Sequence, residues 1–259
     1  MIPFFQANVI LLGPLTIQVW GLFVSLGIVV GIVLARYLAR KVFLSADVIT
    51  DLGIWALLGG IIGARLGHIL FYKPAYYFNH LKEIFFIWQG GASSLGGFLG
   101  AFVALFLFAW KRNFSWKELL PYFDVLALCL WLSWGIGRIG CFLIHDHIGR
   151  LSNFFLAVNF PEGARFDLGL LESLLAFIIF VVFIFLFRRL IKKRWGLVFF
   201  YSFVTYLVFR FCLDFSRATD VNIADVRIGF LTPMQWGILL TMVGLTVWKI
   251  YSKISARKT

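Results

Sequence analysis

Seven apolar stretches alternate with polar or basic connections along the chain, near residues 17–37, 48–72, 96–110, 121–143, 168–187, 197–213 and 234–251. About 20 apolar residues in a helix cross the roughly 30 Å hydrocarbon core of a bilayer. Backbone polar groups in lipid must be satisfied within the segment itself, which selects helices for such spans. The pattern predicts an all-α polytopic membrane protein with seven transmembrane helices, one domain over residues 1–259. The third stretch is short and follows the run Gly90-Gly91-Ala92-Ser93-Ser94-Leu95-Gly96-Gly97. That run predicts a span built partly from irregular backbone, tolerable where it lines a cavity.

Composition agrees: 61% of residues are hydrophobic and 14% charged, with 31 Phe and 10 Trp. Soluble domains run near 45–50% apolar and about 25% charged, so a disordered chain, a coiled coil and a soluble enzyme are excluded. The net charge of +12 is explained by topology and does not call for nucleic acid. Fifteen of the 24 basic residues follow the first, third, fifth and seventh stretches, from Arg36, Arg40 and Lys41 to Lys249, Lys253, Arg257 and Lys258. The positive-inside rule makes those connections cytoplasmic, with the N-terminus outside and the C-terminus inside. No basic residue precedes Arg36, so the first stretch lacks the charged start of a cleaved signal peptide. Cys129, Cys141 and Cys212 show neither a disulfide framework nor metal-ligand spacing.

Three basic residues break the pattern. Arg65, Arg138 and Arg210 fall in the C-terminal halves of the second, fourth and sixth stretches, all of which run outward. The three are expected at one depth near the outer leaflet. An arginine inside a span costs about 2.5–3.5 kcal/mol on insertion scales, so each needs an anionic partner. Two readings stand side by side. Internal carboxylates supply the charge, with Asp124, Glu172 and Asp214 as candidates, or the arginines form a clamp for a phosphate, which guanidinium binds in bidentate fashion. Gly63-Ala64-Arg65-Leu66-Gly67 and Gly137-Arg138-Ile139-Gly140 each set an arginine between glycines, which suits close approach of a helix or a ligand. Tyr206, Arg210, Asp214 and Arg217 form one stripe of the sixth stretch, which should face protein or a wet cavity. After the fourth stretch comes His145-Asp146-His147, open to acid/base work near the headgroups or to a solvated loop. No further ligand cluster accompanies it, so no metal site is expected. His68 and His80 read as interfacial residues beside Tyr72, Tyr76 and Tyr77.

At these residues the chain resembles the prolipoprotein diacylglyceryl transferase family, over most of its length from Trp20-Gly21-Leu22 to Pro233-Met234-Gln235. The resemblance rests on four features in order: the segment from Gly59-Gly60 to Gly67-His68 and on to Tyr72, the glycine run with Gly96 and Gly97, Gly137-Arg138-Ile139-Gly140-Cys141-Phe142 closing with Gly149-Arg150, and the Tyr206, Arg210, Asp214, Arg217 pattern. It implies seven spans with the N-terminus outside, in a bacterial plasma (inner) membrane. It also implies transfer of the diacylglyceryl group of phosphatidylglycerol to the lipobox cysteine sulfur in a prolipoprotein signal peptide, releasing glycerol phosphate and needing no cofactor. The partners implied are phosphatidylglycerol, prolipoprotein signal peptides and the lipid bilayer. Arg138 and Arg210 take the family's essential arginine positions. Arg65, Gly96, Gly97, Asp124, Gly137, Gly140, Gly149, Tyr206, Asp214 and Arg217 are expected to bind substrate.

The chain departs from the family at several positions. Leu95 stands where the family has a histidine, Trp20 for a tyrosine, Cys141 for an asparagine, and Asp146 for a glutamate. A proton acceptor is still needed, because thiolate is the attacking species. Asp146, His145 or His147 is expected to replace the missing histidine. The competing readings are a non-catalytic relative that binds lipid or signal peptide, and an anion transporter. Transport fits poorly with cytoplasmic helix halves that carry no buried charge.

Overall fold

A computed structural model describes residues 1–86, 91–220 and 227–255. Helices occupy all seven apolar stretches: α1 (Val19–Lys41), α2 (Ala46–Phe71), α4 (Ser94–Lys111), α5 (Trp116–Ile144), α6 (Leu168–Lys193), α7 (Leu197–Asp214) and α8 (Pro233–Ser255), with a short α3 (Pro74–Asn79) after α2. Helices α1, α2, α5, α6 and α7 are long and apolar enough to cross a membrane, and α4 is a shorter apolar helix. Gly90, Arg257 and Lys258 lie outside the described residues. The chain divides into two compact units, one of Met1–Val30, Leu130–Phe185 and Phe200–Thr259, the other of Gly31–Cys129 and Leu186–Phe199.

The second unit is organised by a glycine seam. Gly59, Gly63 and Gly67 on α2 face Gly96 and Gly100 on α4, so closely that a Cβ on Gly63, Gly96 or Gly100 would strike backbone of the other helix. This is small-residue packing, in which backbones approach and van der Waals contact replaces the missing hydrophobic drive. The glycine run is therefore more regular than expected. Gly96 and Gly97 are helical, and among the described residues of the run only Gly91, Ala92 and Ser93 are not. Helix α4 starts here because the Ser93 hydroxyl accepts the Gly96 amide at 3.2 Å, an N-cap. Elsewhere in this unit the Tyr122 hydroxyl accepts the Ser45 amide at 3.4 Å, and Arg36 donates to the Thr50 hydroxyl at 2.7 Å.

The first unit joins helical segments to a small sheet. The strands β1 (Ile2–Pro3), β4 (Ile148–Leu151), β5 (Val158–Phe160) and β6 (Gly163–Asp167) pair in the order β1-β5-β6-β4. Only β1 and β5 run parallel. A separate hairpin, β2 (Val9–Leu12) with β3 (Leu15–Gln18), leads into α1. Helices α5 and α6 are in close contact. Ser173 donates to the Gly135 carbonyl at 2.9 Å, and a Cβ on Gly169 would meet the Phe142 amide nitrogen at 2.6 Å. Helix α5 ends in a Schellman turn: the His145 and Asp146 amides donate back to the Phe142 and Cys141 carbonyls. His145 takes the left-handed position with φ of 52°.

Candidate active site

The residues expected to bind or react fall into both units. Arg138, Asp146, His145, His147, Gly137, Gly140, Gly149, Tyr206, Arg210, Asp214 and Arg217 belong to the first. Arg65, Gly96, Gly97 and Asp124 belong to the second.

In the first unit two carboxylates collect three guanidiniums. Glu172, on the first turns of α6, is fully buried. Its Oε2 lies 2.7 Å from Arg138 Nη2 on α5, and its Oε1 lies 2.9 Å from Arg210 Nη1 on α7. Neither contact has hydrogen-bond alignment, so both act as ion pairs. Asp214, also fully buried, accepts from Arg210 Nη1 at 2.6 Å and from Arg217 Nε at 2.7 Å. Its other oxygen accepts the Thr232 hydroxyl at 2.8 Å. Thr232 and Gln235 brace each other, with the Thr232 amide donating to Gln235 Oε1 at 2.9 Å, and Gln235 Nε2 donates to the Phe211 carbonyl at 3.1 Å. The chain from Arg138 to Arg217 is thus continuous and carries three positive charges, buried at Arg210 and part-buried at Arg138 and Arg217, against two buried negative ones.

Aromatic rings wall this network. The Arg138 guanidinium sits 5.0 Å from the Trp134 ring centroid, a cation–π distance. Tyr206 is buried between Trp131 at 4.8 Å and Trp134 at 6.5 Å. Arg138 Nη1 also reaches Cys141 Sγ at 3.8 Å, so the thiol occupies a place beside the guanidinium. Among the described residues, Arg210 engages carboxylates through Nη1 alone, which leaves the other edge of its fork for an anion.

The expected stripe Tyr206, Arg210, Asp214, Arg217 holds only in part as a helix. α7 ends at Asp214, and Arg217 lies beyond it, in a bridge with Gly149. The turn at Phe215 and Ser216, closed by the Arg217 amide donating to the Asp214 carbonyl at 3.3 Å, still lets the Arg217 side chain reach Asp214. Gly149 has little room: a Cβ would meet Ser216 O at 2.8 Å and Phe166 O at 2.9 Å. Gly140 makes space for α1, since a Cβ would lie 2.9 Å from Phe23 Cβ, while Gly137 has only an ordinary contact with Val24.

The three residues of the His145-Asp146-His147 segment differ sharply. The His145 ring is buried, with Nδ1 2.7 Å from Asp167 Oδ2 and Nε2 2.6 Å from the Phe5 carbonyl. Burial pushes its pKa down, but the bonds to Asp167 and Phe5 outweigh this and hold it above the ordinary histidine value. The His147 side chain is one-third exposed, and its Nε2 lies 3.9 Å from Asp146 Oδ2. Burial, then the positive charges of Arg138 and Arg217, hold its pKa below the ordinary value despite Asp146. The two surroundings thus pull apart: His145 is held towards its protonated form and His147 towards its neutral one.

In the second unit, Arg65 is buried and donates to the backbone carbonyls of Glu83, Ile84 and Gly91. Its guanidinium lies 5.1 Å from the Tyr77 ring centroid. It organises the segment ahead of α4. His68 stacks on Tyr72 at 5.5 Å and His80 on Tyr76 at 4.5 Å, in the aromatic cluster expected for them. Asp124 meets no arginine among the described residues; it accepts the Gly196 and Phe199 amides at 2.7 and 2.8 Å and so caps the start of α7.

Sequence reasoning treated Glu172 only as a pairing partner and did not single out Thr232, Trp131 or Trp134. The signal for Glu172 was present: it is the only acid between Asp167 and Asp214. Thr232 gave none, because its contact with Asp214 joins segments 18 residues apart.

A family model described as prolipoprotein diacylglyceryl transferase matches residues 7–251. A phosphatidylglycerol–prolipoprotein diacylglyceryl transferase of Bordetella avium is 32% identical over 99% of this chain and 98% of its own length. One of Nitrosomonas europaea is 34% identical over 96% of this chain and 90% of its own. A match of this extent places the chain in the prolipoprotein diacylglyceryl transferase family.

Proposed function

We propose that this protein transfers the diacylglyceryl group of phosphatidylglycerol to the sulfur of the lipobox cysteine of a prolipoprotein. The buried network that joins Arg138, Glu172, Arg210, Asp214 and Arg217 carries the reading, since its positive excess suits a phosphate ester. The substrate thiol loses its proton, and the thiolate attacks the glyceryl carbon bonded to the phosphate oxygen. A C–S bond forms, the C–O bond breaks, and its electron pair leaves on glycerol phosphate. Fixed positive donors where that charge develops lower the barrier, and this is the role of Arg138 and Arg210. Arg217 and Tyr206 complete the anion pocket with Gly137 next to Arg138 in the chain, Asp214 holds Arg210 and Arg217 together, and Gly140 and Gly149 keep the surrounding backbones close.

His147 takes the thiol proton. It is neutral, partly accessible and beside the network, with Asp146 as the acid that steadies the imidazolium formed. Arg65, Gly96, Gly97 and Asp124 shape the second unit. Seven helices cross the bacterial plasma membrane with the N-terminus outside, consistent with the one-sided basic connections, and both units serve one catalytic domain. Complementation of a strain depleted of its own diacylglyceryl transferase tests the reading. Wild type should restore lipoprotein mobility, and Arg138→Ala and Arg210→Ala, inserted at equal level, should not. Rescue by either variant would remove the clamp.

A further inference from the structure

His145 occupies a costly position. Histidine at φ of 52° adopts a conformation that glycine reaches without steric penalty, so its side chain must compensate. Both ring nitrogens face groups that only accept, a carboxylate oxygen of Asp167 and the Phe5 carbonyl oxygen. A neutral imidazole carries one N–H and would leave two acceptors opposed at one of these contacts. The ring therefore carries both protons. Phe4 stacks on it at 5.2 Å, and Phe142 and Phe160 meet it edge-on at 5.4 and 5.0 Å. Asp167 and Asp146 are the charged groups that act on it among the described residues.

The three groups tied together come from three places. Phe5 belongs to the N-terminal segment, which also bonds through the Ala7 amide to the Leu143 carbonyl and through Gln6 Nε2 to the Ile144 carbonyl, each at 2.9 Å. His145 closes α5, seven residues after Arg138. Asp167 precedes α6, where its other oxygen accepts the Leu170 amide at 3.0 Å, five residues before Glu172.

We infer that His145 is a positioning residue for the transfer reaction, a doubly donating imidazolium that fastens the N-terminal segment to the junction of α5 and α6 and thereby keeps Arg138 and Glu172 in register. This rests on the Arg138 network being the catalytic site. His145 itself cannot accept the thiol proton, because neither nitrogen has a free lone pair. Deprotonation breaks one of the two bonds. Asp167 is held by its bond to the start of α6, so the bond to Phe5 is the one released, and the N-terminal segment loosens.

The test uses the full-length protein in lipid nanodiscs, as wild type and as His145→Gly, which relieves the left-handed backbone while removing the ring. Nitrogen-15 NMR of labelled histidines, with the His145 signal assigned by its loss in the variant, should show both nitrogens protonated at neutral pH. A neutral tautomer would overturn the inference, whether or not the protein turns over lipid. Hydrogen exchange should show the amides of residues 1–8 losing protection in His145→Gly. The variant should also lose kcat by about tenfold to a hundredfold, the scale of an ångström-sized misplacement, with KM for phosphatidylglycerol unchanged. Wild type should lose kcat at alkaline pH, and the variant should lack that limb. Wild-type protection and kcat in His145→Gly would remove the positioning role. If wild type shows no transfer at all, the NMR and exchange results still decide the fastening on their own.

Discussion

Glu172→Gln removes one charge from the centre of the network and almost no volume. Glu172 is fully buried and pairs with two guanidiniums at 2.7 and 2.9 Å. Two unit charges near contact attract by about 4 kcal/mol at the effective dielectric of a protein edge, and desolvation cancels much of that. Breaking a buried pair by removing one partner costs about 3–5 kcal/mol, because the other charge stays buried and uncompensated. Glutamine retains a carbonyl dipole beside the arginines, which puts the loss near the lower end, about 3 kcal/mol. At about 2–4 °C per kcal/mol for a domain of this size, the thermal midpoint should fall by about 6–12 °C. Arg210 keeps Asp214, whereas Arg138 loses its carboxylate, so Arg138 should be displaced and kcat should fall about a hundredfold. The assay pairs thermal unfolding in nanodiscs with release of glycerol phosphate from labelled phosphatidylglycerol. A variant with the wild-type midpoint and turnover would refute the claim that Glu172 sets the arginines in place.

The glycine seam separates two neighbours that the sequence treats alike. Gly96→Ala drives a Cβ into backbone of α2 and should cost about 1–3 kcal/mol of stability by overpacking. Gly97→Ala meets only Gly60 O at 3.5 Å and Ala64 Cβ at 3.6 Å and should keep the wild-type midpoint; equal losses would place the seam elsewhere. The pH profile tests His147. Burial and the charges of Arg138 and Arg217 hold its pKa down, so kcat should show an acid limb below the ordinary histidine value, separate from the alkaline limb set by His145. That acid limb should vanish with the residual activity of His147→Gln; its persistence would assign the proton acceptor to another group.

The seven helices were legible because each apolar stretch is long and bounded, and lipid leaves backbone few other choices. The start of α4 was not, since the glycine run reads as a breaker in isolation. Only the facing glycines of α2, some 30 residues earlier, turn it into a packing surface. Arg138 and Arg210 stood out as buried cations, yet Arg65 looked the same in sequence. Its partners are backbone carbonyls, which every residue possesses, so no spacing rule foretells them. Asp124 is the mirror case. It reads as a counter-ion and caps a helix, because the Gly196 and Phe199 amides lie over 70 residues away in the chain.

The two histidines of the loop carry the clearest lesson. They are two residues apart, identical in chemistry, and equally eligible as a base by sequence. Position relative to acceptors and cations separates them. His145 faces two acceptors, so its raised pKa contributes stability that is complete below the ordinary histidine value and is lost as pH rises through the raised folded value. His147 faces Arg138 and Arg217, so its depressed pKa contributes stability above the ordinary value, lost as pH falls towards the depressed folded one. Between those limits one ring holds its proton and the other holds a lone pair. Because both are anchored at the end of α5, the helix that carries Arg138, the same pH window keeps the scaffold fastened and the base ready. Raising the pH should therefore loosen the N-terminal segment while His147 stays neutral, and lowering it should protonate His147 while the segment stays bound. Hydrogen exchange of residues 1–8 and the acid limb of kcat, followed across pH on one sample, should change on opposite sides of the ordinary histidine value. A single shared transition would mean that the two rings titrate as one unit.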